Sequence, residues 1–470
     1  MFPFRSRVAT TKWLYVPMEV QVREMTSKFL LSCVAAENGF SCIIGEGTKM
    51  QDEFEQLPEG IAYVNACGSG VEREKFFDQI KNNGHKIVAN DEETMGLFKD
   101  APAPWLKGRL SEPLFEMIDQ YHVWGQRQAD MIQGYMKCSA DVFRITGTYR
   151  ADLWKYPLCE IHRATAEKLR RKYGHYILLS SNFTMRFDLR GAEHHLQLAK
   201  DYGEVIDRSD EQSFWEMIDH NRSVADDFVK ALGPISAAFP DHTVIVRPHP
   251  TEGVELWKQA IGDIPRVHVV YEGEASPWLL GADAIFHNGC TNAFEARLMG
   301  KIPVTYRPTS NADYDETFLF GMGPIADNVE ELIQYLGEVI SRKDEFTEND
   351  LEFNDYVYSN TQELACDRII SAIDEIDIKS QPLPFSISSW AYAVKEDLRS
   401  KAGLDETRTI MKTSGAKTSP PKWPGIRLRE IKMLLKELQT HLNRFENVEV
   451  LNYKRRLFIV RQKKGKLVIK

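Results

Sequence analysis

Thr243-Val244-Ile245-Val246-Arg247-Pro248-His249-Pro250 decides the reading of this chain. Its uncharged β-branched opening is the run that a central parallel strand, buried on both faces, requires. Pro248 and Pro250 fix their own φ and force the residues before them into extended geometry, so Arg247 and His249 are held stiffly at the strand's end. About forty residues further on the pattern recurs: Ala282-Asp283-Ala284-Ile285-Phe286 runs into His287-Asn288-Gly289-Cys290-Thr291-Asn292. There Ala293, Phe294, Ala296, Leu298 and Met299 mark the inner side of a helix that Gly300 closes. Polar residues therefore gather where apolar strands end. In an open α/β sheet that carboxyl edge is where ligands sit.

Each of these residues has a chemistry to offer. Arg247 and His249, with Pro250 stiffening the turn, form a cationic pair suited to an anion. Thr291 or Asn292 can cap the helix, whose first N–H groups then face a phosphate or a sugar hydroxyl. Asn288 and Gly289 let the backbone approach a ligand closely. Glu295, one turn into the helix, can accept hydrogen bonds from a ribose diol. The loop between the two halves, Tyr271-Glu272-Gly273-Glu274 with Ser276-Pro277-Trp278, is expected to hold the base through backbone contacts, Glu272 among them.

Outward from this segment the chain alternates short apolar runs with helix-length amphipathic segments, the signature of βαβ units. Runs at 13–17, 40–44, 61–65, 86–89, 121–124 and 142–145 predict one Rossmann-like domain over residues 1–170. Runs at 176–179, 243–246, 267–271, 284–286 and 302–306 predict a second over 171–378, with helices near 211–239, 255–261, 291–299 and 328–341. The expected fold class is α/β, with the two domains facing a cleft. Pro- and Gly-rich punctuation marks 379–425 as a linker. Residues 426–470 follow as a basic α+β accessory module, with an amphipathic helix over 427–443 and a hairpin from Val448-Glu449-Val450-Leu451 to Leu457-Phe458-Ile459-Val460.

The strand, HP turn, second strand, Asn-Gly-x-Thr, helix with an inner Glu-Ala and Gly300-Lys301-Ile302-Pro303-Val304 together resemble the C-terminal nucleotide-binding domain of GT-B glycosyltransferases. Over roughly residues 10–375, Trp13-Leu14-Tyr15-Val16-Pro17-Met18-Glu19-Val20 with Arg23-Glu24, Ile145-Thr146-Gly147-Thr148-Tyr149-Arg150-Ala151-Asp152, Arg-Pro-His-Pro and His-Asn-Gly-Cys-Thr resemble the bacterial surface carbohydrate biosynthesis proteins. The HP turn is similar to that of bacterial sialyl- and Kdo-transferases, which implies that His249 contacts the donor's phosphate. It also implies a CMP-linked acidic sugar such as Kdo as the donor. Two loops depart from the family pattern: Gly147 to Asp152, where Gly-Asn-Pro-Arg-x-Asp is common, and Ser181 to Arg186, where Asn-Phe-Gly is common.

Composition excludes several classes. The 470 residues contain no apolar run long enough to span a bilayer, and the start lacks the apolar core of a secretory signal, so a cytoplasmic protein is expected. Seven scattered cysteines form neither a CxxC pair nor a zinc spacing. The net charge of −9 hides an asymmetry: residues 422–470 hold fourteen Lys and Arg against four Asp and Glu. Such a tail seeks an anionic partner, such as the inner membrane leaflet, or packs on the acidic body. Nucleic acid is not an expected partner. Gly68-Ser69-Gly70 lacks the third glycine of a dinucleotide fingerprint, and Asp313-Tyr314-Asp315 matches a metal motif of another glycosyltransferase architecture, so neither cofactor nor metal is expected.

Glycosyl transfer needs a carboxylate as base or nucleophile and cations for the leaving phosphate. Asp188, Glu19 and Asp152 are the candidate carboxylates. Arg23, Arg150 and Arg186, beside them in sequence, are candidates for an anionic sugar. The expected activity is transfer of a sugar from a nucleotide-sugar donor to a glycan or lipid-linked acceptor in surface polysaccharide assembly. Its rivals are a hydrolysing nucleotide-sugar 2-epimerase and a non-catalytic assembly scaffold.

Overall fold

A computed structural model describes residues 11–65, 71–91, 110–201, 205–311, 314, 319–342, 356–358, 363–382, 387–401 and 423–463. Gly68-Ser69-Gly70, Asp313, Asp315 and most of the expected linker lie outside them. The chain divides into two units: residues 1–95, 109–153 and 352–470 form the first, and 96–108 with 154–351 the second.

The first unit is built on β1 (Lys12–Met18), β2 (Phe40–Glu46), β3 (Ile61–Asn65), β4 (Lys86–Asn90), β5 (Gln120–Val123) and β6 (Phe143–Ile145). The second carries β7 (Tyr176–Ser180), β8 (Thr243–Arg247), β9 (Val267–Val269), β10 (Ala284–His287), β11 (Pro303–Tyr306) and β12 (Ile325–Ala326). A hairpin of β13 (Val448–Lys454) and β14 (Leu457–Gln462) follows near the end of the chain. The second sheet is parallel throughout, in the order β12-β11-β10-β7-β8-β9. Alternation along its strands sends Ile177, Leu179, Val244, Val246 and Phe286 into one core and Tyr176, Leu178, Ile245 and Ile285 into another. Helices therefore cover both faces, which is why these strands read as unbroken apolar runs. Each unit is a Rossmann-like α/β layer structure.

The C-terminal boundaries differ from expectation. The hairpin is no separate module: β14 runs antiparallel to β2, pairing Leu457 with Gly45 and Val460 with Cys42, so the first sheet reads β13-β14-β2-β1-β3-β4-β5-β6. Gly45 permits this close approach, because at φ +145° a Cβ there would lie 2.1 Å from the Arg456 carbonyl oxygen. Residues 363–378, expected in the second domain, also belong to the first unit, where helix Ala365–Asp374 packs on helix Gln21–Glu37. Both placements bury apolar side chains that separate modules would leave in water: Cys366, Ile369 and Ile373 on the helix, and Phe458 and Val460 on β14, are at most 3% exposed.

Part of the basic tail is met within its own unit. Arg444 pairs with Glu37 and with Asp367 at 2.8 Å, Arg456 with Glu46 at 2.8 Å, and Lys454 with Glu53. Helix Leu428–Leu442 carries Arg429, Lys432 and Lys436 on its solvent-facing side. Among the described residues no helix is long and apolar enough to cross a membrane.

Candidate functional site

The carboxyl ends of β7, β8 and β10, which are neighbours in the second sheet, carry the candidate site. At the end of β8, His249 is half-buried and its Nδ1 lies 2.8 Å from the Thr251 hydroxyl and accepts the Thr251 backbone N–H at 3.4 Å. Acceptance at Nδ1 assigns the ring proton to Nε2. Thr251 is held in turn by the Thr184 hydroxyl at 2.9 Å. Pro250 is exposed at the apex.

Beneath this turn sits a residue the sequence reading passed over. The buried Glu252 carboxylate accepts the Ser181 hydroxyl at 2.6 Å, the Phe183 backbone N–H at 2.5 Å and the Trp257 indole N–H at 2.7 Å, while its own N–H donates to the His249 carbonyl at 2.9 Å. It ties the loop after β7 to the turn after β8. Burial pushes this carboxyl above its ordinary value against the pull of its donors.

The end of β10 is set by a directed chain of hydrogen bonds. The Gly289 N–H donates to His287 Nδ1 at 2.9 Å, which leaves His287 Nε2–H to donate to the Thr305 hydroxyl at 3.1 Å, and that hydroxyl donates to the Phe320 carbonyl at 3.1 Å. Burial drives the His287 pKa down to about 3, so this ring is neutral and structural. It shapes the Asn288-Gly289 turn, where Gly289 at φ +93° has the Phe320 ring 3.0 Å from the place a Cβ would occupy. The Asn288 amide donates to the Asn182 carbonyl at 3.2 Å, and its buried Oδ1 accepts no hydrogen bond from the described residues. Thr291 does not cap helix Asn292–Leu298 through its side chain, and the Asn292 amide donates instead to the Ser180 hydroxyl at 2.8 Å.

Glu295 is buried on that helix and accepts the Ser276 hydroxyl, a partner not foreseen from sequence. Near it lies a second carboxyl, Glu274. Burial and the Glu295 charge, opposed by Arg247, push Glu274 up to about 7. No local pattern announces this pair, because Glu274 and Glu295 meet only through the fold.

Three of the expected ligand contacts have other tasks. Arg247 is 7% exposed and donates to the Glu272 carbonyl at 2.9 Å and the Gly273 carbonyl at 2.7 Å, between the rings of Tyr271 and Trp278. Burial of the guanidinium calls for fixed acceptors, so it braces the 271–274 loop. The Glu272 side chain turns to Lys172 at 3.1 Å. Arg186 pairs with Asp226 at 3.0 Å and lies over the Phe187 ring.

The expected catalytic carboxylates are also largely committed. Asp152 accepts the backbone N–H groups of Ala365 at 2.8 Å and Cys366 at 2.9 Å, which makes it the cap of helix Ala365–Asp374. Asp188 accepts the Arg190 guanidinium at 2.7 and 3.0 Å and the Arg190 backbone N–H at 2.8 Å, and His195 Nε2 lies 2.9 Å from it. Burial alone would raise the Asp188 pKa, but Arg190 and His195 outweigh it and hold the carboxyl at about 2. A base that acid is a poor acceptor of a hydroxyl proton. Glu19 is exposed beyond β1, and Arg23 and Arg150 are half-buried; all three belong, with Asp152, to the first unit.

A pH test follows from Asp188. Its folded-state pKa lies below the ordinary carboxylate value, so its stabilisation is full above about pH 4 and is lost as pH falls through about 2. Asp188→Asn is therefore expected to melt well below the wild type at pH 6, with the gap closing towards pH 2.5. A gap independent of pH would remove the ion-pair explanation.

No known family profile matches this sequence, and no curated protein matches it. Solved structures do. The wall teichoic acid polymerase TagF matches at 9% identity and a TM-score of 0.47 over 78% of this chain and 89% of its own. UDP-GlcNAc 2-epimerase from Methanocaldococcus jannaschii matches at 12% identity and 0.45 over 77% and 99%. The Neisseria meningitidis UDP-GlcNAc 2-epimerase bound to UDP-GlcNAc matches at 10% identity and 0.44 over 77% and 98%. Residue roles in this protein rest on the geometry of its own site.

Proposed function

We propose that this protein is a glycosyltransferase of bacterial surface polysaccharide assembly that binds a nucleotide sugar on its second unit and passes the sugar to a glycan or lipid-linked acceptor. The observation that carries the proposal is the convergence of His249, Asn288 and the Glu295–Ser276 pair at the carboxyl ends of neighbouring parallel strands. His249 presents Nε2–H to a phosphate oxygen. Glu295, buried and accepting the Ser276 hydroxyl, would meet a ribose diol. The braced loop 271–274 brings the Glu274 carboxyl beside it. The HP turn favours a CMP-linked acidic sugar, such as Kdo, as the donor. Asp152 caps a helix and Asp188 is ion-paired, which argues against either as the catalytic base.

His249→Ala is expected to weaken nucleotide binding at least tenfold, about 1.4 kcal/mol, without loss of fold. Calorimetric titration with CMP and UDP checks it; unchanged affinity in a folded variant excludes the phosphate contact. Incubation with donor alone separates the reactions: a 2-epimerised sugar released without acceptor would replace transfer by hydrolysing epimerisation. A chain that no nucleotide stabilises against heat would be a scaffold.

A further inference from the structure

We infer that His175, His242 and Asp283 form a binding site for a divalent transition metal of the zinc class, at the end of the second sheet opposite to the nucleotide site. Each immediately precedes a strand: His175 precedes β7, His242 precedes β8 and Asp283 precedes β10. These strands are neighbours in the order β10-β7-β8, with Tyr176 opposite Thr243 and Ile177 opposite Ala284, so the topology itself brings the three side chains to one edge.

The spacing approaches that of a shared ion. The three ligand atoms lie within 4.8 Å of one another, with His175 Nδ1 3.1 Å and His242 Nε2 3.8 Å from the same Asp283 oxygen, Oδ2. A tetrahedral ion with bonds of about 2.0–2.2 Å places its ligand atoms roughly 3.3–3.6 Å apart. The His242 contact is too long for a hydrogen bond. Yet the His242 side chain is only 14% exposed, and its ring makes no hydrogen bond to a described residue. A half-sequestered imidazole aimed at a carboxylate across such a gap is explained by an ion between them. Two imidazoles and one carboxylate suit zinc, cobalt or iron(II), and leave a fourth position open to water.

Arg170 sets the strength of the site. It donates to the Gly281 carbonyl at 2.8 Å and to the other Asp283 oxygen, Oδ1, at 2.9 Å, which orients the carboxylate. It also lies 2.8 Å from His175 Nδ1, so a metal must displace it there. The His175 side chain, 64% exposed, has room to adjust. The bound ion would clip three strand starts together, stabilising the sheet rather than taking part in sugar transfer.

The test uses full-length, tag-free protein dialysed against chelator. Zinc is titrated by calorimetry, and cobalt by visible absorption, whose intensity reports four- or five-coordinate geometry. One zinc per chain and a rise in melting temperature are expected, with His175→Ala and His242→Gln each weakening binding at least about tenfold. Arg170→Gln is expected to tighten it. Circular dichroism confirms that the variants fold, which the exposure of His175 favours. Absence of stoichiometric zinc binding, or binding unaltered in both histidine variants, overturns the inference.

Discussion

Deletion of residues 426–470 is expected to prevent the first unit from folding. Leu457, Phe458, Ile459 and Val460 of β14 are each at most 6% exposed, and β14 is the hydrogen-bonded neighbour of β2. Full burial of such a side chain is worth about 1.5–3 kcal/mol, so these four alone contribute roughly 6–12 kcal/mol, as much as the whole stability of an ordinary domain. Ile431 and Leu438 of helix Leu428–Leu442, both 0% exposed, add to the loss. The deletion would also leave β2 as a bare apolar edge, a template for aggregation. Calorimetry and limited proteolysis of the truncated chain check this. A soluble truncated protein melting at the full-length temperature would refute the integrated sheet and restore the separate module.

Glu252→Ala is expected to cost about 3 kcal/mol or more, because the Ser181 hydroxyl, the Phe183 N–H and the Trp257 indole N–H each lose their acceptor in a buried setting, at roughly 1 kcal/mol or more apiece. In a unit of this size that lowers the melting temperature by about 6–12 °C. Nucleotide affinity should fall with it, since Glu252 joins the loop after β7 to the turn that carries His249. Thermal unfolding alongside calorimetric titration reads both effects. A melting temperature within about a degree of wild type would show that other contacts hold the turn.

Much of the site was legible because its geometry is local. The prolines around His249 and the Asn288-Gly289 pair after an apolar strand act within a few residues of themselves, so the turns could be placed from sequence alone. Glu295 likewise sits where helical periodicity puts it, on a buried face. The partners of these residues were not legible. Ser276 and Glu295 are nineteen positions apart, and Ser181 and Glu252 seventy-one. No periodic pattern links residues at such separations.

The internal partners of Arg247, Arg186, Asp188 and Asp152 share one cause. Their charge and loop position allow a ligand-facing role, but a charge near the interior takes the first fixed partner the fold supplies. For Arg247 that partner is a pair of carbonyls and for Asp152 a helix start, neither visible in sequence.

The sequence by itself determined the strands, their apolar alternation, two Rossmann-like layers and the turns that end β8 and β10, because propensity, proline and glycine geometry and burial periodicity all act over short stretches of chain. Tertiary structure alone decided that the C-terminal hairpin completes the first sheet, that Glu252 clamps the HP turn, and that His175, His242 and Asp283 share one edge. Those outcomes depend on which strands become neighbours, and strand order is settled by the packing of the whole unit.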